Sequence, residues 1–157
     1  MVIVVRPATT HDIEWLMERL KRLSIFGLTD RKLFEDTEYT RAGLRNLIDQ
    51  HVVFVAEREE YGEDHKSTRT IGFIGGYFIH HPFNPTVKML SELFWWVDEE
   101  YRGCGAGGKL LRQFIHVGQA AAHWIVFGLS TNTPVKESSL LKLGFKKSET
   151  SYLMEIK

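Results

Sequence analysis

The chain has 157 residues, 43% of them hydrophobic, which suits one globular domain over residues 1–157 and excludes a disordered chain. Lys plus Arg equals Asp plus Glu at 20 each, so no net field gathers nucleic acid or an anionic membrane surface. Cys104 is the single cysteine, no apolar run approaches membrane-spanning length, and Met1 to Pro7 lacks the charged leader of a signal peptide. No internal disulfide is therefore expected, and the cytoplasm is the expected compartment.

Val2 to Val5 reads as a short β-branched strand ended by Arg6-Pro7. Thr9 or Thr10 can cap a helix, with Asp12 near its positive end. Ile13, Leu16, Met17, Leu20 and Leu23 then follow at helical spacing, and Gly27 can stop that helix. A second helix is expected from about Thr37 to Gln50, using Leu44, Leu47 and Ile48. His51 to Glu57 reads as a strand, and Arg58 to Arg69 as a polar surface loop. Thr70 to His80 reads as another strand. Its glycines at 72, 75 and 76 predict a bend or the close approach of another group.

His80-His81-Pro82-Phe83-Asn84-Pro85 should be a loop. Adjacent histidines on extended backbone point to opposite faces, and no third ligand clusters with them, so no metal site is expected. Met89 to Val97 reads as a buried strand, then comes an acidic turn, then four glycines within the six positions 103–108, then an amphipathic helix to about Ala122. Trp124 to Leu129 reads as the next strand, Val135 to Leu143 as a short helix ended by Gly144-Phe145, and Lys146 to Ile156 as a last strand or strand pair.

The glycine stretch carries the chemistry. Glycines let backbone N–H groups approach a ligand closely, and the first N–H groups of a helix have no intrahelical acceptor. With the helix dipole added, the natural guest is a phosphate or pyrophosphate. Arg102 and Lys109 flank the turn and can add charge-assisted contacts. Gly103, Gly105 and Gly108 spell a dinucleotide-binding fingerprint, but the next strand ends Gly128-Leu129-Ser130-Thr131, without the acid that would hold a ribose. Gly103 to Lys109 spells a P-loop, but Leu110 stands where a magnesium-binding Ser or Thr is needed. A plain joining turn needs fewer glycines.

Arg102-x-x-Gly105-x-Gly107 resembles the Arg/Gln-x-x-Gly-x-Gly/Ala signature of the GNAT superfamily of N-acetyltransferases. Arg6-Pro7-Ala8-Thr9 after the first strand, Ile71-Gly72-x-x-Gly75-Gly76 and Leu143-Gly144-Phe145 are similar to that family as well. The aromatic run Glu92 to Val97 also resembles small GNAT proteins encoded by phages. The resemblance spans nearly the whole chain. It implies an α/β (α+β) GNAT fold, a mixed central β-sheet with helices on both faces, in the order β-α-α-β-β-β-α-β-α-β. It implies acetyl-coenzyme A as co-substrate, with its pyrophosphate on Arg102, Gly103, Cys104, Gly105, Ala106, Gly107 and Gly108. Pantetheine would run along the backbone of Trp95, Trp96 and Val97, where the strand splays from its neighbour. Asn132 would contribute near the next strand.

On this resemblance the acceptor is a small-molecule amine or a protein amino group, attacked directly in a ternary complex. No metal, membrane or nucleic-acid partner is expected, and the family's habit of pairing through the last strands allows a homodimer. Phe26, Phe34 and Tyr39 fall where the family shapes its acceptor pocket, or else simply pack helices onto the sheet. An alkyl amine with a pKa near about 10 must lose a proton to attack. Glu92 is the expected base, its pKa raised by apolar surroundings, unless it pairs with a cation or faces solvent. The family's usual tyrosine acid falls at Leu140, and its usual asparagine at Thr133. Tyr152 is the expected catalytic substitute, with Tyr77, Ser139 or solvent as alternatives. Cys104 reads as a small turn residue, because the thioester lies at the far end of pantetheine. The alternative function is a non-catalytic acyl-coenzyme A-binding regulatory protein.

Overall fold

The computed structural model describes residues 2–25, 36–61, 66–130, 133–154 and 156. β1 (Val2–Pro7) leads through a short turn into α1 (Ile13–Ile25). The Thr9 N–H donates to Asp12 Oδ2 at 2.7 Å and the Thr9 hydroxyl donates to the same oxygen at 3.1 Å, which fixes the approach to α1. α2 (Thr37–Asp49) is capped by Asp36, whose carboxylate accepts from the Tyr39 N–H at 2.9 Å.

Next come β2 (Val53–Tyr61), β3 (Lys66–His81), β4 (Asn84–Val97), α3 (Ala106–Ala121), β5 (Trp124–Val126) and α4 (Glu137–Lys142). The strands form one sheet in the order β1-β2-β3-β4-β5. Pairings from β1 to β4 are antiparallel, and β4 pairs with β5 in parallel, so α3 is the crossover between them.

Both faces of the sheet are covered, and the alternation along β2 shows it. Val53 and Val55 face Leu16, Met17 and Leu20 of α1 and Leu44 and Ile48 of α2, in one buried cluster. Phe54 and Ala56 face the opposite way, in a cluster with Leu110, Leu111 and Phe114 of α3. Phe73 anchors the first core and Phe114 the second, both fully buried. Each such ring contributes about 2–3 kcal/mol of hydrophobic burial.

Three expectations change. Arg58 to Arg69 is not all loop: β2 runs to Tyr61 and β3 starts at Lys66, with Arg58 paired to Arg69. Likewise, β3 and β4 close the 80–85 segment to a tight hairpin with His81 paired to Asn84. Polar composition hid these extensions, because a two-stranded ribbon beyond the core needs no buried face. Finally, the residues after α4 carry no strand among those described. Tyr152, Leu153, Met154 and Ile156 stay between 62% and 92% exposed. Their run of consecutive apolar residues does not alternate, and the three residues of β5 offer only a short edge to pair with. Phe26, Gly27 and Phe34 lie outside the described residues, and Tyr39 is 79% exposed.

Candidate active site

The site begins with an irregularity in β4. Gly75 pairs with Phe94 and Gly76 with Glu92, so Leu93 is an extra, unpaired residue. This is a β-bulge, and it resets which residues face which way. Leu90 belongs to the α3-side core, whereas Phe94 and Trp96 belong to the α1/α2-side core. Trp95 and Val97 in turn pack on the α3 side. The glycines opposite the bulge are needed for contact. A Cβ at Gly75 would strike the Phe94 ring, and one at Gly76 would strike the Ser91 carbonyl and the Phe114 ring.

Beyond the bulge the sheet opens. β5 pairs with β4 only at Met89, Leu90 and Ser91. From Glu92 to Val97 the backbone edge facing β5 makes no ladder to it, a seam of about 17 Å at strand rise. Glu92 stands at the closed end of this seam. Burial pushes its carboxyl up to about 7, opposed by a hydrogen bond from the Gly128 backbone. Its Oε2 lies 3.9 Å from where a Cβ on Gly128 would sit, so the carboxylate reaches across to the segment that follows β5.

At the open end the chain enters the glycine turn. The Asp98 N–H donates to the Ile71 carbonyl at 2.8 Å, and a short turn at Glu99–Tyr101 follows. Gly103 has φ of 87° and Gly105 φ of 90°, left-handed values that suit glycine. Gly105 caps α3 with no side-chain hydrogen bond, and the first turn of α3 carries no acid. A Cβ at either Gly103 or Gly105 would meet nothing within 4 Å. Among the described residues no side chain caps the positive end of α3, and the space beside Gly103 and Gly105 is open, an arrangement that suits an anion.

The flanking side chains behave differently from one another. Arg102 bends back, donating to the Val97 carbonyl at 3.2 Å and lying over the Trp96 ring at 5.0 Å. Lys109 is turned away from the glycines and donates to the Ile3 carbonyl at 2.7 Å, so it ties α3 to β1. Cys104 is a free, partly buried thiol packed against the α3-side core. Ala106 is buried, and Gly107 backs onto Trp95.

Trp95 sits within the seam, its ring in a T-shaped contact with Phe127 at 5.5 Å. Asn132 lies outside the described residues. Tyr152 is 92% exposed on the C-terminal segment, and nothing described joins it to Glu92. Leu140 is 6% exposed in the α3-side core, so that position is filled with packing. Among the described residues no group of three or more His, Cys, Asp and Glu gathers as if for a metal ion, and no helix is long and apolar enough to cross a membrane.

Two contributors had no local sequence signal. Gly128 holds Glu92 from 36 positions away and reads as an ordinary glycine near the end of the expected strand Trp124 to Leu129, which in the structure stops at Val126. Asp98 looks like part of an acidic turn, yet it is buried. It accepts from the Trp96 indole at 3.0 Å and pairs with Arg19 at 3.3 Å. A pocket of about 410 Å³ opens beside this pair, between Arg22, Arg69, Glu99 and Glu100, and shares no residue with Glu92 or the glycines.

Comparison with known proteins places the family and the fold. The model of the acetyltransferase (GNAT) family matches residues 13–145. No curated protein matches the chain in sequence. Solved structures share its fold at low identity. Glucosamine-6-phosphate N-acetyltransferase from Arabidopsis thaliana is 16% identical, with a TM-score of 0.71 and 100% of both chains covered. A predicted acetyltransferase with acetyl-CoA from Clostridium acetobutylicum is 17% identical, with a TM-score of 0.70 over 98% of this chain and 96% of that one. A transcriptional regulator from Bacillus halodurans C-125 is 17% identical, with a TM-score of 0.69 over 99% of this chain and 100% of that one.

Proposed function

The chain belongs to the GNAT acetyltransferase family, and on that premise we propose that it moves an acetyl group from acetyl-coenzyme A to a primary amine by direct attack in a ternary complex. The observation that supports this most is the alignment along β4. One strand carries a carboxylate raised to about 7, then a run of backbone that continues past the β4–β5 ladder, then the glycine turn of α3. An acetyl thioester on a long phosphorylated arm matches those three features in order.

In this reading Arg102, Gly103, Cys104, Gly105, Ala106, Gly107 and Gly108 hold the pyrophosphate, mainly through backbone N–H groups at the positive end of α3. Arg102 would release the Val97 carbonyl to reach it. The backbone of Trp95, Trp96 and Val97 pairs with the pantetheine arm as a further strand would. Asn132 is carried with this set by resemblance. Glu92, ionised, takes a proton from the incoming ammonium or amine, directly or through a water, so that a neutral nitrogen attacks. The departing thiolate, with a thiol pKa near about 8.5, is a modest leaving group and takes its proton from solvent. Tyr152 would serve as its acid only by folding back from its exposed position. Cys104, as a free thiol, suits the reducing cytoplasm.

The acceptor is a small-molecule amine or a protein amino group. The alternative reading, a non-catalytic acyl-coenzyme A-binding regulator, is favoured by the buried Leu140, which leaves no phenol where the family commonly has one. Steady-state turnover of the parent and Glu92→Gln chains against a panel of amines separates the two readings. The enzyme reading predicts a loss of about a hundredfold or more in kcat with acetyl-coenzyme A affinity kept. No turnover by the parent with any amine, despite tight cofactor binding, favours the regulator.

A further inference from the structure

The adjacent tryptophans Trp95 and Trp96 differ in one respect. The Trp96 indole N–H donates to Asp98 at 3.0 Å. The Trp95 Nε1 is shielded from solvent and has no acceptor among the described residues. A buried donor with nothing to donate to is rare in native proteins and calls for an explanation.

The bulge at Leu93 places Trp95 on the α3 face of β4, inside the open seam. One side of the ring meets Phe127 at 5.5 Å in a T-shaped contact, across from β4. The other side meets the glycine turn. A Cβ on Gly107 would sit 3.3 Å from Cζ2 and 3.8 Å from Cε2, and Cε2 is the ring carbon bonded to Nε1. The N–H edge therefore lies between the seam and the start of α3. The ring packs between the start of α3 and the aromatic ring of Phe127, which is at best a weak acceptor. No described residue supplies an acceptor to this nitrogen, which leaves a ligand as the source of one.

We infer that the Trp95 side chain is a ligand-binding group: with a small shift of the ring as the seam fills, its indole N–H donates to an acceptor oxygen of the bound acyl-coenzyme A, a pantetheine amide carbonyl or a pyrophosphate oxygen. This rests on the functional reading above and goes beyond it, because that reading uses only the backbone of Trp95. The bond adds one neutral donor to a seam whose other donors are backbone N–H groups. It also explains Gly107, which lets the helix start close over the ring edge.

The test uses the full chain and two titrants. Acetyl-coenzyme A has both oxygen classes, and ADP keeps the pyrophosphate but lacks the pantetheine arm. Trp95→Phe retains an aromatic ring against Phe127 and removes the N–H. Calorimetry should show acetyl-coenzyme A bound about fivefold more weakly by the variant, the usual effect of one lost hydrogen bond. Loss for acetyl-coenzyme A alone assigns the oxygen to pantetheine, and equal loss for ADP assigns it to the pyrophosphate. In the parent chain, the indole N–H resonance that is missing from the variant should move downfield and exchange more slowly as acetyl-coenzyme A saturates. A resonance that stays in place, or equal affinity of the two chains, overturns the inference while leaving the functional reading intact. Failure of the parent itself to bind acetyl-coenzyme A overturns both.

Discussion

Glu92 is the residue on which the chemistry turns, and its raised pKa has two consequences of opposite sense. As a base it works only when ionised, so kcat should rise with pH through about 7 and flatten above it, and a pH–rate profile reads this directly. As a part-buried carboxyl it destabilises the fold when ionised. Its folded pKa lies above the ordinary 4.5, so its contribution to stability is full below 4.5 and is lost as pH rises through about 7. Glu92→Gln should therefore gain thermal stability over the parent at about pH 8.5 but not at about pH 4. Melting temperatures that differ by the same amount at both pH values would show that Glu92 is not perturbed. Tyr152, by contrast, is 92% exposed, and Tyr152→Phe should leave kcat within about twofold, as assayed in the same turnover measurement. A loss well beyond that would mean that the C-terminal segment closes over the site.

The decisive element is the unit of β4, glycine turn and α3. Its existence was legible in the sequence because the signals are local: an apolar aromatic run, four glycines, then helical spacing. Its bulge was not. Nothing in Leu93-Phe94-Trp95-Trp96 tells which residue drops out of register. The choice is set by the cores on the two faces, where Phe94 meets Phe73 at 5.5 Å on one side and Trp95 meets Phe127 on the other. The turn itself makes a sharp prediction. Gly105 has φ of 90° with nothing within 4 Å of a Cβ, so Gly105→Ala meets no clash in the free protein. It should cost about 1–2 kcal/mol of backbone strain, read by urea unfolding, and should weaken acetyl-coenzyme A by more than that strain explains, because the methyl enters the phosphate space. An unchanged affinity would remove the turn from the binding site.

Over the whole molecule, stability depends on pairs that span the chain and leave no sequence pattern. Arg6 on β1 donates to Asp12 Oδ1 and Oδ2 at 2.9 and 2.8 Å and to Glu57 on β2 at 2.8 Å. Burial pushes the Asp12 carboxyl up, but the Arg6 guanidinium and the Thr9 N–H and hydroxyl outweigh it and hold the carboxyl below its ordinary 3.8. Its stabilising contribution is therefore present above about 3.8 and is lost as pH falls below that value. Arg6→Ala strands Asp12, which is 7% exposed, and should cost about 2 kcal/mol at neutral pH, with a smaller penalty in acid. Denaturant unfolding at two pH values checks both magnitude and sign. The sequence showed Arg6-Pro7 as a strand end and a family-like segment but not as an ion pair, since Glu57 lies 51 positions away. The two-sided sheet, in contrast, was implied by the resemblance to the GNAT family, and the alternation along β2 between the two cores bears it out. The last expected strand was misread because the apolar residues after α4 look strand-like, whereas the described ones stay exposed and form no strand.

The central claim is that this open seam and glycine turn form an acetyl-coenzyme A site. Calorimetric titration of the purified chain with acetyl-coenzyme A, with ATP and NAD as controls, tests it most directly. The account predicts saturable binding of acetyl-coenzyme A with one site per chain and no comparable heat from ATP or NAD. Binding of ATP or NAD in its place, or of none of the three, would contradict it.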